Sequence, residues 1–139
     1  MIHRTKKKND VNHDKWIGVG GKFEAGESPF DCAVREIREE TGVSPRGLSY
    51  RGIVTFVSDE YGTEYMHLFT ATGYEGEINY DCDEGRLEWV KKGDISSLPI
   101  WEGDKIFFEL IEKECDFFSL KLVYEGDKLV SHTLNFSKE

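Results

Sequence analysis

The chain has 139 residues, a formal net charge of −9, 38 % apolar and 13 % aromatic residues. That size and composition fit one domain with a packed core and exclude global disorder. The acidic balance argues against a broad basic surface for stable nucleic-acid binding, and no apolar run reaches membrane-spanning length.

Met1-Ile2-His3-Arg4 reads as the end of a strand. Residues 5–15 are polar and read as a loop. The first part of the chain is basic, with Arg4, Lys6, Lys7, Lys8, Lys15 and Lys22 against Asp10 and Asp14. A basic lip beside an acidic centre suits a polyanion that arrives with metal, although Lys6 to Lys8 alone read as a solvated loop. Trp16 to Gly21 is apolar and glycine-rich, so backbone can approach a ligand there. Ser28 then caps a helix, Pro29 suits its first position and Asp31 completes a capping box. Gly42 stops it, so the spacing predicts a helix over Pro29–Thr41.

Strand-like runs follow at Leu48 to Val57, Glu64 to Thr72 and Arg86 to Val90. Gly103 to Glu114 carries Ile106, Phe107, Leu110 and Ile111 at helical spacing. Phe117 to Tyr124 and Lys128 to Phe136 flank Glu125-Gly126-Asp127, a hairpin turn. Mixed strands with two helices predict an α+β protein, an α/β/α sandwich around a mixed sheet. Cys32, Cys82 and Cys115 are odd in number and contain no CxxC pair, against a disulfide framework or thiolate zinc site. With no apolar leader core, a soluble protein of a reducing, cytoplasmic compartment is expected.

The chemistry concentrates on the first helix. Glu36, Glu39 and Glu40 share an arc of about 100°, bordering the apolar arc of Phe30, Ala33, Val34 and Ile37. Like charges at this spacing repel, so stability gives no reason to collect them there. A hard divalent cation does: Mg²⁺, or Mn²⁺ in its place, takes oxygen ligands and shares phosphate oxygens with a substrate.

The surrounding run, GGKFEAGESPFDCAVREIREETGV, strengthens this. From Gly21 to Val43 it resembles the Nudix box, G-x5-E-x7-R-E-U-x-E-E-x-G-U with U aliphatic, without departure. The resemblance implies that Glu36, Glu39, Glu40 and the Gly20 carbonyl hold the metal. Arg35, beside the carboxylates, pairs with Glu27 and fixes the loop to the helix. Lys22 and Arg4 are candidates to meet phosphate oxygens. Asp83-Glu84 before Leu87-Glu88-Trp89-Val90 resembles the family's acidic loop, in which a glutamate reaches the metal; position assigns this to Glu84. An ordinary acidic loop of Asp81, Asp83 and Glu84 is the alternative.

The C-terminal half resembles the oxidised-purine nucleoside triphosphatase branch through Met66-His67-Leu68-Phe69, Pro99-Ile100-Trp101-Glu102-Gly103-Asp104 and Leu129 to Leu134. In that branch an acidic pair after the tryptophan reads the base edge. Asp104 matches one member, Gly103 stands in the other place, and Ile17 replaces a base-reading asparagine. Trp101 is a candidate to stack on or wall the base; Phe107 is read as core.

The resemblance implies Mg²⁺-dependent hydrolysis of a nucleoside triphosphate, such as 8-oxo-dGTP, to nucleoside monophosphate and pyrophosphate. Glu27, Arg35, Glu36, Glu39, Glu40 and Glu84 would form the catalytic set. Two alternatives stand beside it: a dinucleoside-polyphosphate hydrolase, suggested by Tyr61, and a non-catalytic nucleotide-sensing module, disfavoured by the retained box carboxylates. A single domain over 1–139 is expected, monomeric or homodimeric, with a small nucleotide substrate and no membrane partner. Four residues before the loop span only about 13 Å, too little to cover a sheet neighbour. The expectation is therefore a Nudix fold lacking part of its N-terminal strand, with roughly 15–20 alternating residues encoded upstream.

Overall fold

A computed structural model describes residues 1–5, 12–82 and 85–137. The strands in chain order are β1 (Ile2–Arg4), β2 (Trp16–Ile17), β3 (Ser44–Arg46), β4 (Ser49–Ser58), β5 (Gly62–Thr70), β6 (Gly73–Glu75), β7 (Asp81–Cys82), β8 (Gly85–Leu87), β9 (Phe118–Glu125) and β10 (Lys128–Phe136). The α-helices are α1 (Pro29–Thr41) and α2 (Asp104–Glu112), and a 3₁₀ segment covers Lys92–Ser97. The protein is therefore α+β. It divides into two compact units, 1–48 with 71–100, and 49–70 with 101–139.

In the first unit an antiparallel sheet has the order β2-β1-β8-β7. Ile2 stands opposite both Ile17 and Leu87. It is fully buried, and Ile17, Val19 and Ile78 pack around the Ile2–Leu87 pair. The expectation that the Met1–Arg4 segment is too short to cover a neighbour is corrected here. β1 pairs with the three-residue β8 at Ile2, His3 and Arg4 and with the two-residue β2 at Ile2 and His3. The run expected as a strand over 86–90 shrinks to Gly85–Leu87.

Helix α1 has the expected limits. Asp31 N–H donates to Ser28 Oγ at 3.1 Å and Ser28 N–H donates to Asp31 Oδ2 at 3.0 Å. Two otherwise orphaned backbone donors are thus satisfied. At the other end Gly42 takes φ 81° and its N–H donates to the Arg38 carbonyl at 2.9 Å. That left-handed stop is costly for a residue with a Cβ. The chain turns directly into β3, which pairs with β6. Asn79 N–H donates to the Thr41 carbonyl at 2.8 Å and anchors the 77–81 segment at the helix end.

The second unit is a mixed sheet of order β10-β9-β4-β5, antiparallel except for the β4–β9 pair. Phe118, Leu120, Leu122 and Tyr124 alternate along β9 and join Val54, Phe107 and Leu110 in the core. Each fully buried side chain of this size stabilises the fold by about 1.5–3 kcal/mol. Helix α2 supplies Phe107 and Leu110 from one face, so Phe107 is core as expected. The strand limits shift by one or two residues from the expected 48–57 and 64–72. The helix is shorter than 103–114 because Gly103 acts as its cap.

Candidate active site

The box residues lie in the first unit, on α1 and the loop before it. Arg35 is their hub. Its Nε donates to Glu27 Oε2 at 2.7 Å and its Nη2 donates to Glu27 Oε1 at 2.9 Å. Nη1 donates to Glu36 Oε1 at 2.8 Å and to Glu39 Oε2 at 3.2 Å. Nη2 also reaches the Lys22 carbonyl at 2.8 Å. One guanidinium thus ties the loop to the helix and partly neutralises two helix carboxylates. The expected cost of like charges on α1 is therefore offset within the fold. A planar fork suits this work, whereas an ammonium would not span three carboxylates.

These contacts set the electrostatics. The Arg35 hydrogen bonds, followed by the Glu24 N–H on Glu27 Oε1, hold the Glu27 carboxyl below the usual carboxylate range. The hydrogen bonds that Arg35 donates to Glu27 and Glu36 raise its pKa further, so it stays charged. Burial, then the negative charge of Glu27, pushes the Cys32 thiol up. Cys32 consequently behaves as a neutral packing residue, its Sγ 3.7 Å from the Gly21 carbonyl.

Glycines shape the other side of the site. A Cβ on Gly21 would lie closer than 3.0 Å to the Glu36 carboxylate carbon and both its oxygens. The glycine therefore cradles that carboxylate. Gly20 N–H donates to Glu40 Oε2 at 3.1 Å, and Glu40 is only 9 % exposed. Glu40 thus lies at Gly20 and Glu36 at Gly21, while Glu39 meets Arg35 on the same helix; all three are hard oxygen donors of the kind that suit Mg²⁺ or Mn²⁺. Among the described residues, no three acidic, histidine or cysteine side chains stand in a ready-made metal cluster. The reason is visible: Glu36 and Glu39 turn to Arg35, and Glu40 turns to the Gly20 N–H. The donor chemistry fits a cation, and binding one would turn carboxylate oxygens from these partners.

The remaining expected residues fall as follows. Lys22 has an exposed side chain and contributes its carbonyl to Arg35. Arg4 lies on β1, its N–H donating to the Lys15 carbonyl at 3.0 Å. Ile17 packs in the Ile2–Leu87 cluster. In the second unit, Trp101 meets Tyr124 edge-on with centroids 5.3 Å apart, and Asp104 is buried in the first turn of α2. Gly103 explains its own departure from the acidic pair. A Cβ there would meet Leu122 and the Tyr124 hydroxyl at 2.6 Å, and Tyr124 Oη accepts the Gly103 N–H at 2.7 Å. Glu84, with Asp83 and Lys6 to Lys8, lies outside the described residues. The sequence reading missed Glu24, whose carboxylate lies 3.6 Å from Arg35 Nε. It also missed the Glu40–Gly20 contact, because pattern alone does not orient a carboxylate.

Residues 1–111 match the family model for the NUDIX domain. The chain is 36 % identical over 102 residues to the uncharacterized Nudix hydrolase YvcI of Bacillus subtilis, covering 70 % of this chain and 65 % of that relative. It is 33 % identical over 132 residues to the oxidized purine nucleoside triphosphate hydrolase of Danio rerio, covering 93 % and 83 % of the two chains. The structure of a mutator MutT protein from Bacillus halodurans superposes with a TM-score of 0.81 at 34 % identity, covering 87 % of this chain and 82 % of that one. Sequence, fold and the Arg35-centred box agree, and the chain belongs to the Nudix family of hydrolases.

Proposed function

We propose that residues 1–139 act as one Nudix domain that hydrolyses a phosphoanhydride bond of a nucleoside triphosphate in an Mg²⁺-dependent reaction. Water adds to phosphorus, the anhydride P–O bond breaks, and nucleoside monophosphate and pyrophosphate leave. Oxidised purine nucleotides such as 8-oxo-dGTP are the favoured substrates, supported by the Danio rerio relative's description and its coverage. The observation that carries the reading is Arg35 joining Glu27, Glu36 and Glu39 at the loop-to-helix junction, with Glu36 cradled at Gly21 and Glu40 held by the Gly20 N–H.

Glu36, Glu39, Glu40 and the Gly20 carbonyl would hold Mg²⁺, with Glu84 joining from the acidic loop and Mn²⁺ as a substitute. Bound there, the cation supplies charge neutralisation on the phosphate oxygens. Arg35 and Glu27 position the carboxylates and do not touch phosphorus. One of Glu39, Glu40 and Glu84 takes the proton of the attacking water onto its carboxylate. Lys22 and Arg4 supply positive charge for the phosphates, while Trp101, Asp104 and Ile17 are assigned to the nucleoside side. The partner is a small nucleotide, with no stable nucleic acid and no membrane. Among the described residues no helix is long and apolar enough to cross one. A cytoplasmic monomer or homodimer is proposed.

The test is pyrophosphate or phosphate release from oxidised and normal nucleoside triphosphates, dinucleoside polyphosphates and ADP-ribose, with Mg²⁺ or Mn²⁺. Release of pyrophosphate from a triphosphate is expected. Hydrolysis of the dinucleoside polyphosphates alone would favour the Tyr61 alternative. Binding without any turnover would favour the non-catalytic module.

A further inference from the structure

Arg35 lies between two pairs of carboxylates. Its Nε faces the loop pair, with Glu27 Oε2 at 2.7 Å and Glu24 Oε2 at 3.6 Å. Its Nη1 faces the helix pair, with Glu36 Oε1 at 2.8 Å and Glu39 Oε2 at 3.2 Å. A short turn builds the loop pair. Glu27 N–H donates to the Glu24 carbonyl at 3.2 Å, and Glu24 N–H donates to Glu27 Oε1 at 2.7 Å. Gly26 sits in that turn at φ 80°, where a side chain would be strained.

Counting donors shows which carboxylate is uncommitted. A guanidinium has five N–H groups. Glu27 accepts from Nε and Nη2, Glu36 and Glu39 accept from Nη1, and the Lys22 carbonyl and Cys32 Sγ share what is left of Nη2. Glu24, at 3.6 Å, accepts from none and acts on Arg35 through charge alone. In the metal-free protein that charge adds little, because the closer carboxylates of Glu27, Glu36 and Glu39 already surround the guanidinium and repel a further one. The balance changes when a cation draws Glu36 and Glu39 away. Arg35 then keeps only Glu27 among its carboxylate acceptors, and the attraction to Glu24 is no longer opposed by the helix pair. The Glu24 side chain, 65 % exposed, has room to close the remaining gap. A group that stabilises one state more than another shifts the equilibrium toward it by that difference.

We propose that Glu24 is a positioning residue: it holds Arg35 on the loop side when Glu36 and Glu39 turn to a divalent cation, and so tightens cation binding without touching the cation. The inference rests on the proposed cation site, and its test reads binding rather than turnover.

Mg²⁺ and Mn²⁺ are titrated calorimetrically into the whole chain without nucleotide. Glu24→Gln should weaken both about two- to fivefold, the scale of an exposed ion pair, while its Tm in EDTA changes little. A merely structural role would do the reverse. Loss of a nearby negative charge could by itself weaken a cation, so the same change is also made in Arg35→Gln. There Glu24→Gln should have no further effect on cation affinity, and an equal weakening in both backgrounds would overturn the role. A second readout needs only the parent and Glu24→Gln. At saturating Mg²⁺, solvent exchange of the Arg35 Nε–H in ¹⁵N spectra should be at least about twofold faster in Glu24→Gln, and the difference should shrink in EDTA. Unchanged cation affinity in Glu24→Gln, or equal exchange in the two proteins, would overturn the role while the cation site stands. A parent chain that binds neither ion would remove the site and the role of Glu24 together.

Discussion

Arg35 and Glu27 meet as a two-pronged pair across the loop-to-helix junction, at 2.7 and 2.9 Å. Both side chains are mostly shielded, at 19 % and 14 % exposure. The pair lowers the Glu27 pKa, through the Arg35 hydrogen bonds first and the Glu24 N–H second. A carboxyl with a depressed folded pKa contributes stability above its unfolded pKa and loses it as pH falls through the folded value. Glu27→Gln should therefore lower Tm at neutral pH. The gap from the parent protein should persist down to the ordinary carboxylate range and close below it. Thermal melts of both proteins from pH 7 to pH 2 measure this; a gap that stays constant into strong acid would contradict the pairing.

Gly21→Ala tests the cradle. Its backbone lies outside the left-handed region, so the new methyl meets space limits rather than backbone strain. The obstacle is the Glu36 carboxylate, which sits at the end of a flexible chain but is held by Arg35. The carboxylate should swing aside at little cost to the fold. Tm should fall by only a few degrees, on the order of 1 kcal/mol. Turnover should fall at least about tenfold, because a displaced ligand alters charge stabilisation in the transition state. Melting and pyrophosphate release on the same preparation separate the two effects. Full activity would show that Glu36 is not needed where the structure puts it.

The contrast between α1 and β3 shows what the sequence made legible. Ser28, Pro29, Asp31 and Gly42 act within a few residues of themselves, so the helix limits could be read directly. The same locality makes the box readable, since its carboxylates share one helix face. β3 and β6 pair 44–46 with 73–75, and Pro45 disguises the first of them. Such pairing depends on partners far along the chain, which local pattern does not encode. The Arg35–Glu27 pair was legible from the box, but the further Arg35 contacts to Glu36, Glu39 and the Lys22 carbonyl, and the filling of the Gly103 space by Tyr124, were hidden for a similar reason. Both depend on where side chains from separate segments meet.

Glu39→Gln and Glu40→Gln should each lower kcat by orders of magnitude, since each removes a negative oxygen ligand from the proposed cation site. Their stabilities without metal should differ little from the parent. Glu39 has a side chain 58 % exposed, and its contact to Arg35 is one of several that Arg35 keeps. At position 40, a glutamine oxygen can still accept the Gly20 N–H. Changes within about 0.5 kcal/mol are expected in denaturant melts with EDTA. Near-parent turnover of both variants at saturating Mg²⁺ would remove the assignment.

Gly103 and Tyr124 should behave as one unit. Tyr124→Phe leaves the buried Gly103 N–H without its partner, costing about 1–3 kcal/mol. Gly103→Ala drives a methyl into Leu122 and the Tyr124 hydroxyl, with a penalty of about 1–3 kcal/mol. In the double variant the hydroxyl that clashes is gone, so the two losses should sum to less than their separate values. The tyrosine also has a pH signature. Burial pushes its hydroxyl up to about 12, despite the opposing Gly103 N–H. The stabilisation is complete below the unfolded phenol pKa of about 10 and is lost as pH rises through about 12. Tyr124→Phe should therefore flatten the alkaline limb of a stability profile.

Selectivity for the oxidised base should be modest. The two places where the resemblance leads one to expect polar base readers hold Ile17 and Gly103, and the structure gives each a packing reason. Ile17 fills the cluster around Ile2 and Leu87, where a polar side chain would leave water unfavourably. Gly103 has no room for a side chain beside Tyr124 and Leu122. Simple replacement by asparagine or aspartate should therefore destabilise the fold rather than restore discrimination. A missing buried partner costs roughly 5- to 150-fold in selectivity. The measurement is kcat/KM for 8-oxo-dGTP against dGTP in the parent chain, set beside a stringent oxidised-purine triphosphatase under the same conditions. The ratio should be smaller here by at least about that lower factor. An equal ratio would mean that other residues read the base, and Asp104, buried at the start of α2, would be the first to substitute.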